Sequence, residues 1–183
     1  MNAHVPARTT AIACRSYPEN TSMTELCTGE LFAVMAVRFW AQAYRDPDEG
    51  RDRWQAGFAA ADISDEGATA FNALLLIVAV SAQRPLDVRC PKCLSLGDDE
   101  AVLLQMLGLS QRNCVTGAEL VLMNWVPPAA ARTALPFIAS LAQAMAERGL
   151  WIPQRPAEDA LNHRFTHRGA HIHHGGASLA MVH

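Results

Sequence analysis

Two cysteines separated by two residues, Cys90 and Cys93, are the side chains of this sequence whose spacing most directly indicates chemistry. Thiols in this arrangement can converge on one tetrahedral zinc ion, each as a thiolate with a Zn–S distance of about 2.3 Å. The same pair can instead form a disulfide and take part in thiol–disulfide exchange. A third interpretation is two ordinary cysteines of a connecting segment. The sequence does not decide between that interpretation and zinc.

The four residues 90–93, Cys-Pro-Lys-Cys, resemble one half of a rubredoxin-type or zinc-ribbon site. The resemblance is confined to these four residues. Such sites normally have two halves, whereas this chain has one, and Leu94 stands where a glycine often follows. The resemblance therefore implies a ligand pair that needs partners from elsewhere. The candidate partners are Cys114 and the pair His163 and His167, which the C-terminal part of the chain would have to bring back.

The redox interpretation of the same pair is less favoured. Redox motifs of this kind lie between a strand and the N-terminus of a helix, where the pKa of the thiol is lowered. Here the next helix is predicted to begin several residues after Cys93, and residues 98–100 at its start are all acidic. Their negative charge would raise the pKa of a nearby thiol, although Arg89 and Lys92 act in the opposite direction. The three acids themselves are explained by the positive end of the helix dipole.

Histidines accumulate near the C-terminus, where five of the seven lie between residues 163 and 174. His163 and His167 are four residues apart, so on a helix their imidazoles would share one face and could share a metal ion. The favoured interpretation is that they complement the negative end of a short helix before a solvated tail. The candidate metal ligands are therefore Cys90, Cys93, Cys114, His163 and His167, and the candidate ion is zinc.

The common catalytic and nucleotide-binding motifs do not occur in this sequence. It contains no G-x-S-x-G, H-E-x-x-H, G-x-x-x-x-G-K-[ST] or G-x-G-x-x-G pattern. The net charge of -3 argues against a basic nucleic-acid binder or a polybasic membrane anchor. No apolar run approaches the roughly 20 residues of a membrane span, and an odd number of cysteines, five, fits a reducing compartment. We therefore expect a cytoplasmic protein and assign no catalytic residue.

The elements that must position these residues are predicted to be helices. Hydrophobic residues make up 50% of the chain, charged residues 18%, and the 32 alanines favour helix over strand. No segment shows a convincing period-2 strand pattern. We expect an all-α fold, a single irregular bundle of about six helices over residues 22–152. A flexible leader at 1–21 would precede it, and a short helix with a His-rich tail at 153–183 would follow.

Helix boundaries are predicted from capping residues and prolines. A capping box of Ser22 and Glu25 predicts a first helix from residue 24 or 28 to about residue 45. This helix is largely apolar around a narrow polar stripe, which consists of Glu30, Arg38, Gln42 and Arg45. The further helices are expected at residues 54–61, 64–83 with Ser64 as cap, 98–107, 116–125 with a Thr116–Glu119 capping box, and 128–148 with a kink near residues 132–136. Gly149 is expected to end the last of these helices, with Leu150 closing back on Met145 in a Schellman arrangement. The four tryptophans are expected to pack in the core.

The function expected from these observations is that of a small non-catalytic interaction or regulatory protein. The wide apolar surface of the first helix suits a protein partner or self-association, although it would also serve internal packing. The alternatives are a metal-binding protein that uses Cys90 and Cys93, with the C-terminal histidines as further ligands, and a thiol-dependent redox protein. Neither a nucleic acid nor a membrane is an expected partner.

Overall fold

Six α-helices joined by short turns make up the described part of the chain. The computed structural model describes residues 17–46 and 53–155. In these ranges the helices are α1 (Thr28–Arg45), α2 (Arg53–Ala60), α3 (Asp65–Ser81), α4 (Asp98–Gln111), α5 (Val115–Leu122) and α6 (Pro128–Glu147), preceded by a 3-10 turn at Met23–Glu25. The same ranges hold no strand, so the prediction of an all-α bundle of about six helices is confirmed.

Three parts of the predicted organisation lie outside the described residues. These are residues 1–16 of the leader, the short helix expected after Pro156 and the His-rich tail. Residues 17–21 are described, and Tyr17 and Thr21 are buried among them. Among the helices that the structure describes, none combines the length and the apolar character that a membrane crossing requires.

The helices pack in an irregular arrangement around a central pair, α3 and α6. Helix α4 packs on α6 and on the short helix α5, while α1 packs on α2 and on α4. The core between them is aliphatic and aromatic, and its largest fully buried apolar side chains are Phe58, Phe71, Leu74, Leu103, Leu104, Met106, Leu107, Leu122, Ile138, Leu141 and Met145. Helix α6 continues through Pro136, whose side chain is exposed.

Gly67 allows α3 and α6 to approach closely. A Cβ atom at this position would lie 2.6 Å from the Cβ atom of Ala144 and 2.8 Å from Cγ2 of Ile63. Replacing Gly67 by alanine is therefore expected to lower the free energy of unfolding by about 1–3 kcal/mol, because the extra methyl group forces the two helices apart. Urea denaturation of the purified protein measures this change.

Gly57 in α2 is the matched control for that substitution. A Cβ atom at Gly57 would meet no atom within 4 Å. The Gly57→Ala variant is expected to gain roughly 0.5–1 kcal/mol, because alanine loses less backbone entropy than glycine in a helix. Equal effects at Gly57 and Gly67 would contradict the close approach of α3 and α6.

Two predicted helix ends are confirmed by their hydrogen bonds. The Oγ atom of Ser64 accepts the backbone N–H of Gly67 at 3.2 Å and caps α3. At the end of α6, Gly149 has a φ of 71°, and the N–H of Leu150 donates to the carbonyl of Met145 at 2.9 Å. This is the Schellman arrangement expected from a glycine after the last helical turn.

Helix α1 starts at Thr28, the later of the two predicted starts, but its cap differs from the prediction. Ser22 caps the preceding 3-10 turn, accepting the N–H of Thr24 at 3.3 Å, and does not begin the helix. The carboxylate of Glu30 instead accepts the N–H of Cys27 at 2.8 Å, the reciprocal half of a capping box. The predicted Ser22–Glu25 box is therefore wrong, since a second acidic residue three positions after Cys27 provides the stronger helix start.

The start of α5 also differs, because the turn before it is tighter than expected. Asn113 adopts a φ of 58°, a left-handed conformation that asparagine tolerates, so the chain re-enters a helix at Val115. Thr116 therefore lies inside the first turn and cannot cap the helix. The predicted Thr116–Glu119 capping box is wrong.

Three of the four tryptophans are buried as predicted, but the side chain of Trp151 is 55% exposed. In the segment after α6, the buried side chain is that of the next residue, Ile152. Neighbouring side chains of an extended segment point to opposite sides, so burying Ile152 turns Trp151 outward. The backbone of Trp151 nevertheless packs tightly, since a Cβ atom at Gly29 would lie 2.5 Å from its carbonyl oxygen.

Candidate functional site

A buried ion pair between Arg38 and Glu100 lies directly beneath the segment that carries the two cysteines. Both side chains have 0% exposed area, one on α1 and the other in the first turn of α4. The Nε and Nη2 atoms of Arg38 donate to the two carboxylate oxygens of Glu100, each at 2.8 Å. This two-pronged geometry is the strongest form of an arginine–carboxylate contact. It joins α1 to α4 at the point where the connecting segment 82–97 passes over them.

The same two side chains hold the backbone of that segment in place. Arg38 donates from Nη1 to the carbonyl of Cys93 at 2.7 Å and from Nη2 to the carbonyl of Ser95 at 2.8 Å. Glu100 accepts the N–H of Arg89 at 3.0 Å. The backbone on both sides of the residues 90–93 is therefore fixed to the interior of the bundle, and the irregular segment is an ordered part of the fold.

Asp99 forms a second buried anchor of the same segment. Its carboxylate accepts two hydrogen bonds from Arg84, at 2.8 and 2.6 Å, one from the N–H of Asp87 at 2.6 Å and one from Nε1 of Trp125 at 2.8 Å. Burial alone would raise the pKa of Asp99, but the Arg84 guanidinium and the other two donors outweigh it and lower this pKa. The helix dipole therefore explains these acids incompletely, because Asp99 and Glu100 are buried and bind arginines distant in sequence.

Glu30 joins both ends of the described chain to α1. It accepts the hydroxyl of Tyr17 at 2.7 Å and the Nε and Nη2 atoms of Arg155 at 2.7 and 2.8 Å. Burial would raise the pKa of Glu30, but the bonds from Arg155, Cys27 and Tyr17 lower it below its ordinary value. Burial and the Glu30 carboxylate raise the pKa of the Tyr17 hydroxyl. These contacts are structural, since nothing in them is left to bind a ligand.

Cys90 and Cys93 lie at the surface with their sulfur atoms in contact. Their Sγ atoms are 2.6 Å apart, and the N–H of Cys93 donates to the carbonyl of Cys90 at 3.0 Å, which closes a tight turn. The hydrogen bond from the Cys93 thiol lowers the pKa of Cys90, with help from the N–H of Lys92, and the same bond raises the pKa of Cys93. The pair is thus asymmetric, and Cys90 is the side chain that ionises first.

The other candidate metal ligands are not brought to this pair in the described residues. Cys114 follows the far end of α4, a helix of 14 residues whose first turn lies beside the two cysteines. At 1.5 Å per residue, about 20 Å of helix separates Cys114 from them. His163 and His167 lie outside the described residues. Within residues 17–46 and 53–155, no three His, Cys, Asp or Glu side chains form a group that could hold a metal ion, and zinc stays a prediction.

An open apolar groove of about 550 Å³ lies between α1 and α3, which do not pack closely on one another. Most of its lining comes from α1, α3 and the segment that follows α3, and Trp125 completes it. The lining residues are Val37, Trp40, Ala41, Tyr44 and Arg45 of α1, Leu75, Val78 and Ala79 of α3, Ala82 to Leu86 and Val88 of the following segment, and Trp125. The rings of Trp40 and Tyr44 stack with centroids 5.0 Å apart. The wide apolar surface of the first helix indicated that this side could bind something, but nothing in the sequence placed the groove.

Charged residues in the groove lining are of one sign. Among the described residues, Arg45 and Arg84 line the groove and no carboxylate does. Arg84 forms an ion pair with Asp99, but its side chain is 49% exposed. The groove is therefore an apolar surface with a basic rim, and it adjoins the dithiol, since Val88 lines it two residues before Cys90. No family model, curated protein or solved structure matches the chain that carries these two features.

Proposed function

We propose that this protein is a helical interaction module, whose groove between α1 and α3 binds an apolar segment of a partner protein that also carries acidic residues. The observation that carries this proposal is the groove itself. Its volume of about 550 Å³ lies within the roughly 300–1,000 Å³ range of clefts that bind small molecules, so it has room for a few side chains of a partner segment. Grooves of this kind commonly take an amphipathic helix, whose apolar side chains are spaced three and four residues apart.

The shape and chemistry of the lining suit such a segment. Small side chains, Ala41, Ala79 and Ala82, leave room for the apolar side chains of an incoming helix. The stacked rings of Trp40 and Tyr44 provide a rigid aromatic surface, and the Tyr44 side chain is 56% exposed. Aromatic residues of this kind are enriched where binding energy is concentrated in protein interfaces.

Charge supports an acidic partner over a neutral one. The basic rim, Arg45 and Arg84, would attract carboxylates placed beside the apolar side chains of the segment.

We also propose that the protein acts in the cytoplasm. The four cysteines in the described residues, Cys27, Cys90, Cys93 and Cys114, are free thiols, which fits a reducing compartment.

Two designed peptides test the proposal. Each has 15 residues with leucines at positions i, i+3, i+4 and i+7, and the remaining face carries glutamates in one peptide and lysines in the other. We expect the glutamate peptide to bind roughly tenfold more tightly at low salt, because it complements the basic rim, with the difference shrinking at high salt. Tryptophan fluorescence follows the titration, since Trp40 lines the groove.

Matched substitutions on α3 locate the binding. Ala79 is exposed and lines the groove, whereas Thr69 is exposed on the same helix away from it. Ala79→Glu is expected to weaken binding of the glutamate peptide roughly tenfold or more by filling the groove and repelling carboxylates, while Thr69→Glu leaves it unchanged. Equal binding of both peptides, or equal effects of both substitutions, would count decisively against the groove as a site for acidic apolar segments.

A further inference from the structure

The sulfur atoms of Cys90 and Cys93 are placed for bonding to each other. They lie 2.6 Å apart, against about 2.05 Å in a disulfide, so a bond requires a movement of about half an ångström. Pro91 occupies the second position of the turn, where its fixed φ holds the two cysteines in this relation. Cys90 is exposed and Cys93 is half-buried, so a reactant can reach the pair from solvent.

A tetrahedral zinc ion would need a different geometry. Two thiolates, each about 2.3 Å from the ion, are about 3.8 Å apart at a tetrahedral angle, whereas the sulfur atoms here are 2.6 Å apart. Two further ligands are also needed for a tetrahedral site, and the part of the chain that the structure describes brings none to the pair. The arrangement of the sulfur atoms therefore favours sulfur–sulfur chemistry over zinc.

Two of the three acidic residues at the start of α4, Asp99 and Glu100, do not oppose thiolate formation as the sequence suggested. Glu100 is paired with Arg38, and Asp99 is paired with Arg84. Because each of these two carboxylates is paired with a guanidinium, the positive charge of the guanidinium offsets the electrostatic effect of the carboxylate on the sulfur atoms. Arg38 contributes a small lowering of the pKa of Cys90. These two ion pairs therefore answer the objection that the charges of Asp99 and Glu100 raised against a redox role.

We infer that Cys90 and Cys93 form a thiol–disulfide exchange site whose substrate is an exposed disulfide. The thiolate of Cys90 attacks one sulfur of the substrate, forming a mixed disulfide and releasing the other sulfur as a thiolate, which takes up a proton. The Cys93 thiol then loses its proton, and its sulfur attacks Cys90 Sγ, which expels the second substrate thiolate. The dithiol is thereby oxidised to a Cys90–Cys93 disulfide, and the substrate is reduced to two thiols by the same two electrons.

The order of attack follows from the turn. Cys90 is the more exposed of the two sulfur atoms, while the backbone of Cys93 is fixed through its carbonyl to Arg38. The hydrogen bond between the thiols favours ionisation of Cys90 over Cys93. Cys90 is thus the attacking residue and Cys93 the residue that resolves the mixed disulfide.

The experiment uses the full chain with Cys14, Cys27 and Cys114 replaced by serine, so that the pair is the reactive dithiol. The protein is incubated with oxidised glutathione, as a small disulfide, or with insulin, as a protein disulfide, and the products are trapped and weighed by mass spectrometry. We expect the mass of two hydrogen atoms to be lost as the internal disulfide forms, and the dithiol to be recovered with reduced glutathione. The two substrates tell whether a small or a protein disulfide reacts faster.

Single-cysteine variants test the assigned roles. With Cys93→Ser added, Cys90 is expected to accumulate the mixed disulfide with glutathione roughly tenfold faster than a chain that retains Cys114 as its single thiol. With Cys90→Ser added, Cys93 is expected to react no faster than Cys114. Failure to form the internal disulfide reversibly, equal rates at Cys90 and Cys114, or stoichiometric zinc retained by the purified chain would each overturn the inference.

Discussion

Replacing Glu100 by glutamine is expected to lower the free energy of unfolding by about 3–5 kcal/mol. The substitution preserves the shape of the side chain but leaves the guanidinium of Arg38 without its counter-charge at a site with no exposed area. It also weakens the hydrogen bonds that the Glu100 side chain accepts from backbone N–H groups of the connecting segment, among them the N–H of Arg89. An unpaired charge destabilises the fold far more when it is buried than when it is exposed. The decrease in the free energy of unfolding should therefore approach that of truncating a large core side chain. Urea denaturation gives the value directly.

Two comparisons separate this explanation from a general effect of mutation. Asp62 pairs with Arg148 at 2.9 Å, but the two side chains are 84% and 44% exposed, so Asp62→Asn is expected to cost less than about 1 kcal/mol. The double variant Arg38→Met with Glu100→Leu removes both charges and should regain part of the stability that Glu100→Gln loses. A Glu100→Gln loss no larger than that of Asp62→Asn would contradict a buried, structural ion pair.

Replacing Asp99 by asparagine is expected to cost about 2–4 kcal/mol at neutral pH. The carboxylate accepts four hydrogen bonds, and an asparagine can accept with one oxygen while its amide group faces the donors of Arg84. Trp125 is 2% exposed, so an indole N–H that loses its acceptor has little access to water. The loss should be smaller than a bare buried charge would cause, because the Arg84 side chain is 49% exposed and can be hydrated.

The effect of Asp99→Asn should depend on pH in a defined direction. The folded-state pKa of Asp99 is lowered below the unfolded value of about 3.9, so the ionised carboxylate stabilises the fold above that unfolded value. This stabilisation is lost as the pH falls through the folded pKa. The difference between wild type and Asp99→Asn should therefore be largest near pH 7 and shrink steadily below pH 4. A difference that is constant from pH 7 to pH 3 would contradict the assigned role of the charge.

Features of the fold that depend on neighbouring residues could be predicted from the sequence. Ser64 before two acids marked the start of α3, and Gly149 marked the end of α6, since both act through bonds within one or two turns. The helix count followed from periodicity and proline positions. Local pattern does not rank the adjacent capping sequences at Ser22 and Cys27, so it left two possible starts for α1. It also did not show the left-handed conformation of Asn113, which places the start of α5 before Thr116.

Features that depend on distant residues could not be predicted in this way. Glu30 and Arg38 were assigned to a polar stripe on α1, yet both are fully buried. Their partners, Arg155 and Glu100, lie 125 and 62 residues further along the chain. A charged residue that is paired in the core has the same local sequence signal as one that faces water. The same limit applied to Glu100, whose position at a helix start already had a local explanation.

Of the candidate site, the sequence predicted the dithiol but not the groove, because only the dithiol depends on neighbouring residues. The spacing of Cys90 and Cys93 identified the dithiol, since two residues between cysteines suffice to bring the thiols together. The groove could not be found, because its walls come from α1, α3 and the segment after α3. The groove exists because α1 and α3 make few contacts, among them the hydrogen bond from Nε1 of Trp40 to Asn72, and this spacing is a property of how the whole bundle packs.

Site-specific photo-crosslinking in the producing cells tests the proposed function most directly. A photoreactive amino acid is placed at Ala79 in the groove, and at Thr69 on the same helix as the control. Mass spectrometry then identifies the segment bound to each position. We expect a product at residue 79, absent at residue 69, whose crosslinked segment contains apolar residues beside carboxylates. No product at residue 79, the same product at both positions, or a second copy of this chain as the crosslinked molecule would contradict it.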